Sequence, residues 1–285
     1  MTLLSVVQDV CATVGVVMPT AIFSNITGNR TMQEMVSLAN EMAQRIAYDL
    51  RDWNMLKTSA TFTGDGVTTE FDLPANYKRM LLTSNLWLST SSQTPMTFIA
   101  DTDEWMKRRL NSATYGTWGE WTLLGGKIHI WPVMGVIVPA WVSGVTYEIG
   151  DYAADASLWV CHVKNTPSGP GTFADYRAAN PTHWAAYVQP RATFAYLDKN
   201  CINLASGGHG DRFMADGDSF ALDERVLKLG MIWQWKAQKG SPYAEDMGSY
   251  GDALTNAMGA DGPAPIMLTR PASSTSWGGW DGRIQ

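Results

Sequence analysis

Residues 220–263 read F-A-L-D-E-R-V-L-K-L-G-M-I-W-Q-W-K-A-Q-K-G-S-P-Y-A-E-D-M-G-S-Y-G-D-A-L-T-N-A-M-G-A-D-G-P. The pattern predicts two helices joined by a short turn at Gly240-Ser241-Pro242. Trp233 and Trp235 lie two positions apart on the first of these helices. The stretch contains no grouping of residues that carries out catalysis, so it indicates packing rather than chemistry.

Trp233 and Trp235 differ by about 200° around a helix, so both rings cannot face the same core. We expect one ring in the core of its own subunit. The other is expected beside a second helix or a neighbouring subunit. The alternative is a helix that is buried on two sides within a monomer.

The composition is that of a folded, acidic protein. The chain has 285 residues and is 45% hydrophobic, enough for one large domain or two smaller ones with a sizeable core. Its formal net charge of -6 argues against a protein that coats nucleic acid with a basic face. A channel through which DNA slides is compatible with this charge, because an acidic lining offers few contacts that would hold phosphate.

The three cysteines, Cys11, Cys161 and Cys201, are widely spaced, and no two of them form a C-x-x-C pair. We therefore expect reduced thiols rather than a disulfide framework or a zinc site. The N-terminus lacks the pattern of a signal peptide, and the chain has no run of 18 apolar residues. These features predict a soluble protein that is made in the cytosol and does not associate with membranes.

The N-terminal region predicts two amphipathic helices. In residues 3–17, hydrophobic side chains recur at spacings of three and four, and Gly15 favours an end there. Thr31 and Glu34 match a capping box. The second helix is expected over residues 32–52, with an apolar stripe on one face.

The region after the second helix predicts antiparallel β-structure. Asp65-Gly66 and Gly125-Gly126 each lie between alternating segments and indicate two hairpins. The other expected elements are strands at 78–88 and 95–99 and a short helix at 101–110, with acids at its start and bases at its end.

Residues 139–188 differ from the segments on either side. They are rich in Gly, Pro, Asp and aromatic residues and show no helical period longer than two turns. Residues 191–200 resume as an alternating strand, which would pair with 128–131 if the intervening residues were absent. This predicts a small β domain inserted into a hairpin, because loop tips tolerate insertions. The core domain would then comprise residues 1–138 and 189–263, with an extended tail at 264–285.

The polar residues show no strong catalytic or metal-binding pattern. The four histidines are scattered without ligand spacing, and no G-x-S-x-G motif is present. The glycine-rich segment at 206–211 lacks the ending of a phosphate-binding loop. The pairs Asp101/Asp103 and Asp216/Asp218 are candidates for acid-base chemistry, but helix capping and loop solubility are the favoured roles. We expect no enzymatic activity, no metal and no cofactor.

The inserted segment carries a spaced aromatic motif. It reads A-W-x-x-G-x-x-Y-x-x-G-D over residues 140–151, followed by L-W-x-C at 158–161 and N-P-x-H-W at 180–184. Over residues 139–187 this motif resembles the small carbohydrate-binding modules of the chitin-binding type.

That resemblance implies that exposed aromatic rings stack on sugar faces or contact another surface, and the candidates are Tyr152, Trp159 and Trp184. The alternative is that Trp141, Tyr147 and Trp184 form the core of the small domain. For Trp141 the core is the favoured position.

Without residues 139–188, the order of segments resembles the head-to-tail adaptor proteins of tailed bacteriophages. The most specific segments are G-M-I-W-Q-W-K at 230–236 and K-I-H-I-W-P at 127–132. The resemblance covers nearly all of the core domain. The expected fold class is α+β: two N-terminal helices and the C-terminal helical pair in a bundle, antiparallel hairpins, and a small all-β inserted domain.

The resemblance implies a ring of subunits, usually twelve, that forms under the portal protein in the virion neck. Such a ring extends the channel for double-stranded DNA without reading its sequence, and it provides the attachment site for tail, stopper or nozzle proteins. The helices would form the ring, and the tail would reach the portal through Trp277, Trp280 and Arg283. The alternative is a carbohydrate-binding virion or secreted protein that acts through the inserted domain.

Overall fold

The protein has a mixed α+β architecture. The structure, a computed structural model, describes residues 1–81, 84–91, 93–110, 119–167 and 171–262. These ranges contain six α-helices and several antiparallel sheets, so the predicted α+β class is confirmed. The helices are α1 (Leu3–Val14), α2 (Arg30–Tyr48), α3 (Thr102–Leu110), α4 (Phe173–Ala179), α5 (Glu224–Gln238) and α6 (Ala244–Asp261).

Short strands connect the helices. They are β1 (Lys57–Thr63), β2 (Glu70–Asp72), β3 (Tyr77–Met80), β4 (Trp87–Leu88), β5 (Thr97–Phe98), β6 (Glu120–Leu124), β7 (Lys127–Trp131), β8 (Tyr152–Ala154), β9 (Leu158–Cys161), β10 (Trp184–Ala186), β11 (Arg191–Asp198), β12 (Ile202–Asn203), β13 (His209–Gly210) and β14 (Ser219–Phe220). Their sheets have the orders β1-β11-β3, with β4 also on β11, then β2-β7-β6-β5, β10-β9-β8 and β13-β12-β14. All pairs are antiparallel except β5 with β6.

α5 is the central helix of the helical layer, since it contacts α1, α2 and α6. Gly230 lies on α5 where Met42 of α2 and Tyr250 of α6 both approach its backbone. A Cβ atom on Gly230 would lie 2.4 Å from the Met42 Cε and 3.2 Å from the Tyr250 ring. α1, α2, α5 and α6 share one hydrophobic core, to which α5 contributes Val226, Leu227, Met231, Ile232 and Trp235.

The second helix starts earlier than predicted. The side chain of Asn29 accepts a backbone N–H of the first turn, and α2 begins at Arg30. The capping box predicted at Thr31 and Glu34 is therefore wrong. The Glu34 carboxylate instead lies 2.7 Å from the Nζ of Lys239, so it links α2 to the end of α5.

β11 is the strand with the most partners in its sheet, and those partners differ from the prediction. It pairs with β1 along seven positions, from Lys57 opposite Leu197 to Thr63 opposite Arg191, and also with β3 and β4. The predicted pairing of this strand with residues 128–131 is wrong, because β7 pairs with β2 and β6. Alternation specifies which face of a strand is buried, but it does not specify the neighbouring strand.

Of the two predicted hairpins, one is confirmed and one is wrong. β6 and β7 form a hairpin at Gly125-Gly126, where both glycines adopt the positive φ that a two-residue turn of this kind needs. Across Asp65-Gly66, by contrast, β1 and β2 belong to different sheets. The Asp65 carboxylate accepts the N–H groups of Val67 and Thr68 and so forms a turn without strand pairing.

Residues 139–188 contain the sheet β10-β9-β8 and also the helix α4, so the prediction that this segment is all-β is wrong. Their connections to the rest of the chain meet at one point. The side chain of Gln189 donates to the Val136 carbonyl at 2.7 Å and accepts the Val136 N–H at 3.1 Å. The chain therefore leaves and returns side by side.

The loop before β14 is joined to the start of α1 by two aspartates. The Asp218 carboxylate is 1% exposed and accepts three backbone N–H groups, from Ala205, Met214 and Ala215. The Asp216 carboxylate accepts backbone N–H groups from residues 22 and 23. The backbone carbonyls of both aspartates accept the first N–H groups of α1. This pair therefore organises backbone rather than presenting free carboxylates for catalysis.

We expect Asp218→Asn to lower the free energy of unfolding by about 2–4 kcal/mol. The reason is that an amide has one acceptor oxygen where the carboxylate accepts three buried N–H groups. Urea denaturation followed by tryptophan fluorescence measures the change. Asp252→Asn, at an exposed position on α6, is the control and should change stability by less than about 0.5 kcal/mol. Equal stabilities of the two variants would contradict this role of Asp218.

Candidate functional site

Both tryptophans of α5 lie among the helices of their own chain. Trp235 is 6% exposed and belongs to the helical core. Trp233 is half-buried, with its ring centroid 6.1 Å from that of Tyr250 on α6. The Arg45 guanidinium of α2 lies 5.6 Å from the Trp233 centroid. These contacts support the interpretation that α5 is buried on two sides within a monomer, with Trp233 beside a second helix.

The end of α6 is firmly held at the point where the chain continues into residues 263–285. The guanidinium of Arg51 donates to the carbonyl of Met258, and the side chain of Asn54 donates to the carbonyl of Asp261. The backbone N–H of Asn54 also donates to the Asp261 carboxylate at 2.9 Å. These groups satisfy carbonyls that have no partner within the helix.

The three residues predicted to contact the portal, Trp277, Trp280 and Arg283, lie outside the described residues. For this part of the site, the structure shows the end of α6, from which the tail continues.

Trp184 is part of a small aromatic core in residues 139–188. Its ring is 5% exposed and meets the rings of Tyr147 and Phe173 at centroid distances of 5.1 and 4.9 Å. Trp141 is half-buried and stacks on Phe173 at 5.3 Å. The burial of Trp184 supports the core interpretation and leaves this ring without a face for a sugar.

One face of Trp159 is covered by a cation. The guanidinium carbon of Arg177 lies 3.6 Å from the ring centroid of Trp159, and Arg177 also forms an ion pair with Asp155 at 3.1 Å. Tyr152 packs edge-on against a different ring, that of Tyr187, at a centroid distance of 4.6 Å. The three proposed stacking residues therefore do not form one open aromatic platform.

Sequence reasoning missed Arg177 because it did not predict α4. The available signal was the capping box formed by Thr172 and Asp175, which is present in the structure. Phe173 and Arg177 then lie four residues apart on one face of this short helix, where side chains meet. A two-turn helix carries little periodicity, so the capping box was the stronger clue.

The remaining polar candidates have structural partners. The Asp101 carboxylate accepts the N–H groups of Asp103 and Glu104 at the start of α3, which is the capping role favoured from the sequence. His209 contacts the side chain of Asn203 across the β12–β13 pair. Among the described residues, no cluster of three or more His, Cys, Asp or Glu side chains is arranged to hold a metal ion.

The three cysteines are free and buried. Burial raises the pKa of the Cys11 and Cys161 thiols, and it raises the pKa of Cys201 to about 11. Because the thiolate is the reactive form, these thiols are poor nucleophiles at neutral pH.

Within the described ranges, no helix is both long enough and apolar enough to cross a bilayer.

We expect Arg177→Gln to lower the free energy of unfolding by about 1–2 kcal/mol, because it removes a partly buried cation from the Trp159 face. Hydrogen exchange of β8, β9 and β10, together with urea denaturation, measures the loss. The matched control is Lys164→Gln, which breaks the exposed ion pair of Lys164 with Glu148 and should cost at most about 0.5 kcal/mol. Equal losses in the two variants would argue against a role for the covered ring face.

Asp155 should make the stability contributed by the Trp159, Arg177 and Asp155 contacts sensitive to acid. The N–H of Ser157 and the Arg177 guanidinium lower the pKa of Asp155. A carboxyl with a depressed pKa stabilises the fold above its unfolded pKa of about 3.9 and loses that effect as the pH falls through its folded pKa. We therefore expect the stability difference between wild type and Asp155→Asn to shrink between about pH 5 and about pH 2. Urea titrations across this range measure it, and a constant difference would contradict the assignment.

In comparisons with known proteins, no family model matches this chain, and no curated protein matches it.

Proposed function

We propose that this chain is a subunit of a head-to-tail adaptor ring in a tailed bacteriophage and has no enzymatic activity. The observation that carries the proposal is the order of segments, from two N-terminal helices through β-structure to the helical pair with G-M-I-W-Q-W-K at 230–236. The ring lies in the virion neck under the portal. It extends the DNA channel and provides the attachment site for tail, stopper or nozzle proteins.

The arrangement of the helices supports this proposal. α1 and α2 from the start of the chain and α6 from its end all contact α5, which is consistent with one bundle as the body of an adaptor subunit. The outer side of α6 carries Met247, which is 51% exposed, beside the exposed Gly248. A ring needs two different complementary surfaces on each subunit, and the rotation that relates neighbouring subunits must close. In this proposal the ring has twelve subunits. The exposed side of α6 is a candidate for one of these surfaces.

The charge of the chain supports a passive conduit. The formal net charge of -6 arises from 27 acidic and 21 basic residues, so the chain as a whole has no excess of cations to hold DNA through released counterions. Double-stranded DNA can therefore pass without sequence-specific binding.

Residues 139–188 form an inserted domain in this proposal. Their aromatic core and the Val136–Gln189 hydrogen bonds at their base are consistent with a separate unit on the adaptor body. The alternative function, carbohydrate binding through this domain, has less support. Trp184 is buried, and Arg177 covers one face of Trp159, so Tyr152 and the other face of Trp159 are the remaining candidates. A surface that contacts protein is the favoured role.

The proposal is tested with purified portal from the same virion and native mass measurement. We expect a monomer in isolation and a ring on the portal. Replacing Trp277, Trp280 and Arg283 together by Ala should weaken portal binding at least about 30-fold, because Trp and Arg dominate the energy of many interfaces. The matched control replaces Ser273, Ser274 and Thr275 by Ala in the same tail and should bind like wild type.

Two results would contradict the adaptor proposal. One is a chain that never associates with its portal, and the other is a triple variant that binds as tightly as the control. A glycan array with wild type, Tyr152→Ala and Trp159→Ala tests the alternative. Sugar binding that either substitution abolishes would favour the carbohydrate-binding function instead.

A further inference from the structure

A cleft of about 430 Å³ with a mixed apolar and acidic lining lies beside the end of α6. Its apolar lining comes from three parts of the chain: Trp53 and Met55 after α2, Leu222 before α5, and Ala257 and Ala260 on the last turns of α6. Met55 is 70% exposed, a large apolar side chain without cover. The volume is within the range of about 300–1,000 Å³ that is usual for pockets that bind ligands.

The chain itself leaves α6 at this cleft. Asp261, the last residue of α6, is part of the cleft lining, and Gly262 follows it with an extended backbone, φ -78 and ψ 157. Arg51 and Asn54 hold the last turn of α6 against the segment that carries Trp53 and Met55. The end of α6 is therefore held next to the cleft.

The first apolar residues of the tail are close in sequence to this point. The chain continues P-A-P-I-M-L-T-R from Pro263 to Arg270, with Ile266, Met267 and Leu268 as its first run of large apolar side chains. At about 3.5 Å per residue, Ile266 can lie at most about 14 Å from Gly262, and Leu268 at most about 21 Å.

The acidic side chains of the cleft lining already have partners in the described part of the chain. Asp261 pairs with Arg51, Glu224 pairs with the amino group of Met1, and Asp223 caps the first turn of α5. What the cleft offers to the tail is therefore the apolar part of its lining.

We propose that Ile266, Met267 and Leu268 dock into this cleft of their own chain. The docked segment covers Met55 and divides the tail into an anchored part, residues 263–270, and a terminal part, residues 271–285, which remains available to a partner. This proposal does not depend on the adaptor function. Fewer residues then lose conformational freedom when the terminal part binds, which lowers the entropic cost of that step.

The test is a pair of engineered cysteines in the full-length chain. Met55→Cys and Thr269→Cys place one thiol at the exposed position in the cleft and the other directly after the docked run, which stays intact. The three native cysteines are buried, so a short bismaleimide at neutral pH reacts with the two new thiols. We expect an intramolecular cross-link, detected by mass spectrometry of peptides.

The matched control moves the first thiol to Met247→Cys, which is exposed near the other end of α6. Docking raises the effective concentration of the two thiols in the first pair, so its cross-link should form at least about tenfold faster than in the control pair. Adding Ile266→Ser and Leu268→Ser to the first pair should slow its cross-link at least about threefold, because only the tether to α6 then keeps the two thiols near each other. This variant changes only tail residues, and its unchanged urea midpoint for the core is measured in parallel.

Equal rates in the two pairs would overturn the proposal, as would a fast cross-link that survives the two serine substitutions. A cross-link that forms mainly between chains and rises with protein concentration would also overturn it, because the occupant would then be a second copy.

Discussion

Gly230 lets the side chains of Met42 of α2 and Tyr250 of α6 pack against the backbone of α5. Any side chain at this position would press on Met42 of α2 and on the ring of Tyr250 of α6, since even a Cβ would lie 2.4 Å from the Met42 Cε. Glycine inside a helix costs about 1 kcal/mol relative to alanine. Burial of the Met42 and Tyr250 side chains offsets that cost, because each large apolar group contributes about 1.5–3 kcal/mol when it leaves water. The close approach of Met42 and Tyr250 to the backbone of α5 therefore depends on the absence of one side chain.

Polar contacts then join segments around α5 that lie far apart in the sequence. Asp216 and Asp218 join the loop before β14 to the start of α1, and Glu34 joins α2 to Lys239. The exposed ion pairs contribute little energy, because water and salt screen them. The buried carboxylate of Asp218 contributes more, since the groups it binds would otherwise be left without partners away from water.

The sequence predicts those elements whose signal is local and fails for those that depend on partners far along the chain. The stripe of α2 is visible because one face of a long helix is buried, yet the capping residue is Asn29 rather than Thr31. The hairpin at Gly125-Gly126 is predictable because both strands adjoin its turn, whereas β11 takes β1, more than one hundred residues earlier, as its main neighbour. In the candidate site, the aromatic residues could be recognised from their spacing. Their exposure could not, because Arg177 reaches Trp159 only after α4 has formed.

The hydrogen bonds between Val136 and Gln189 bring the two ends of residues 139–188 together at one place on the body of the protein. A segment whose ends emerge side by side can be removed or replaced while β7 and β11 keep their own partners. At this junction, a shorter loop or a different small fold could therefore replace residues 139–188. Changes within residues 139–188 can then accumulate separately from changes in how the helices pack.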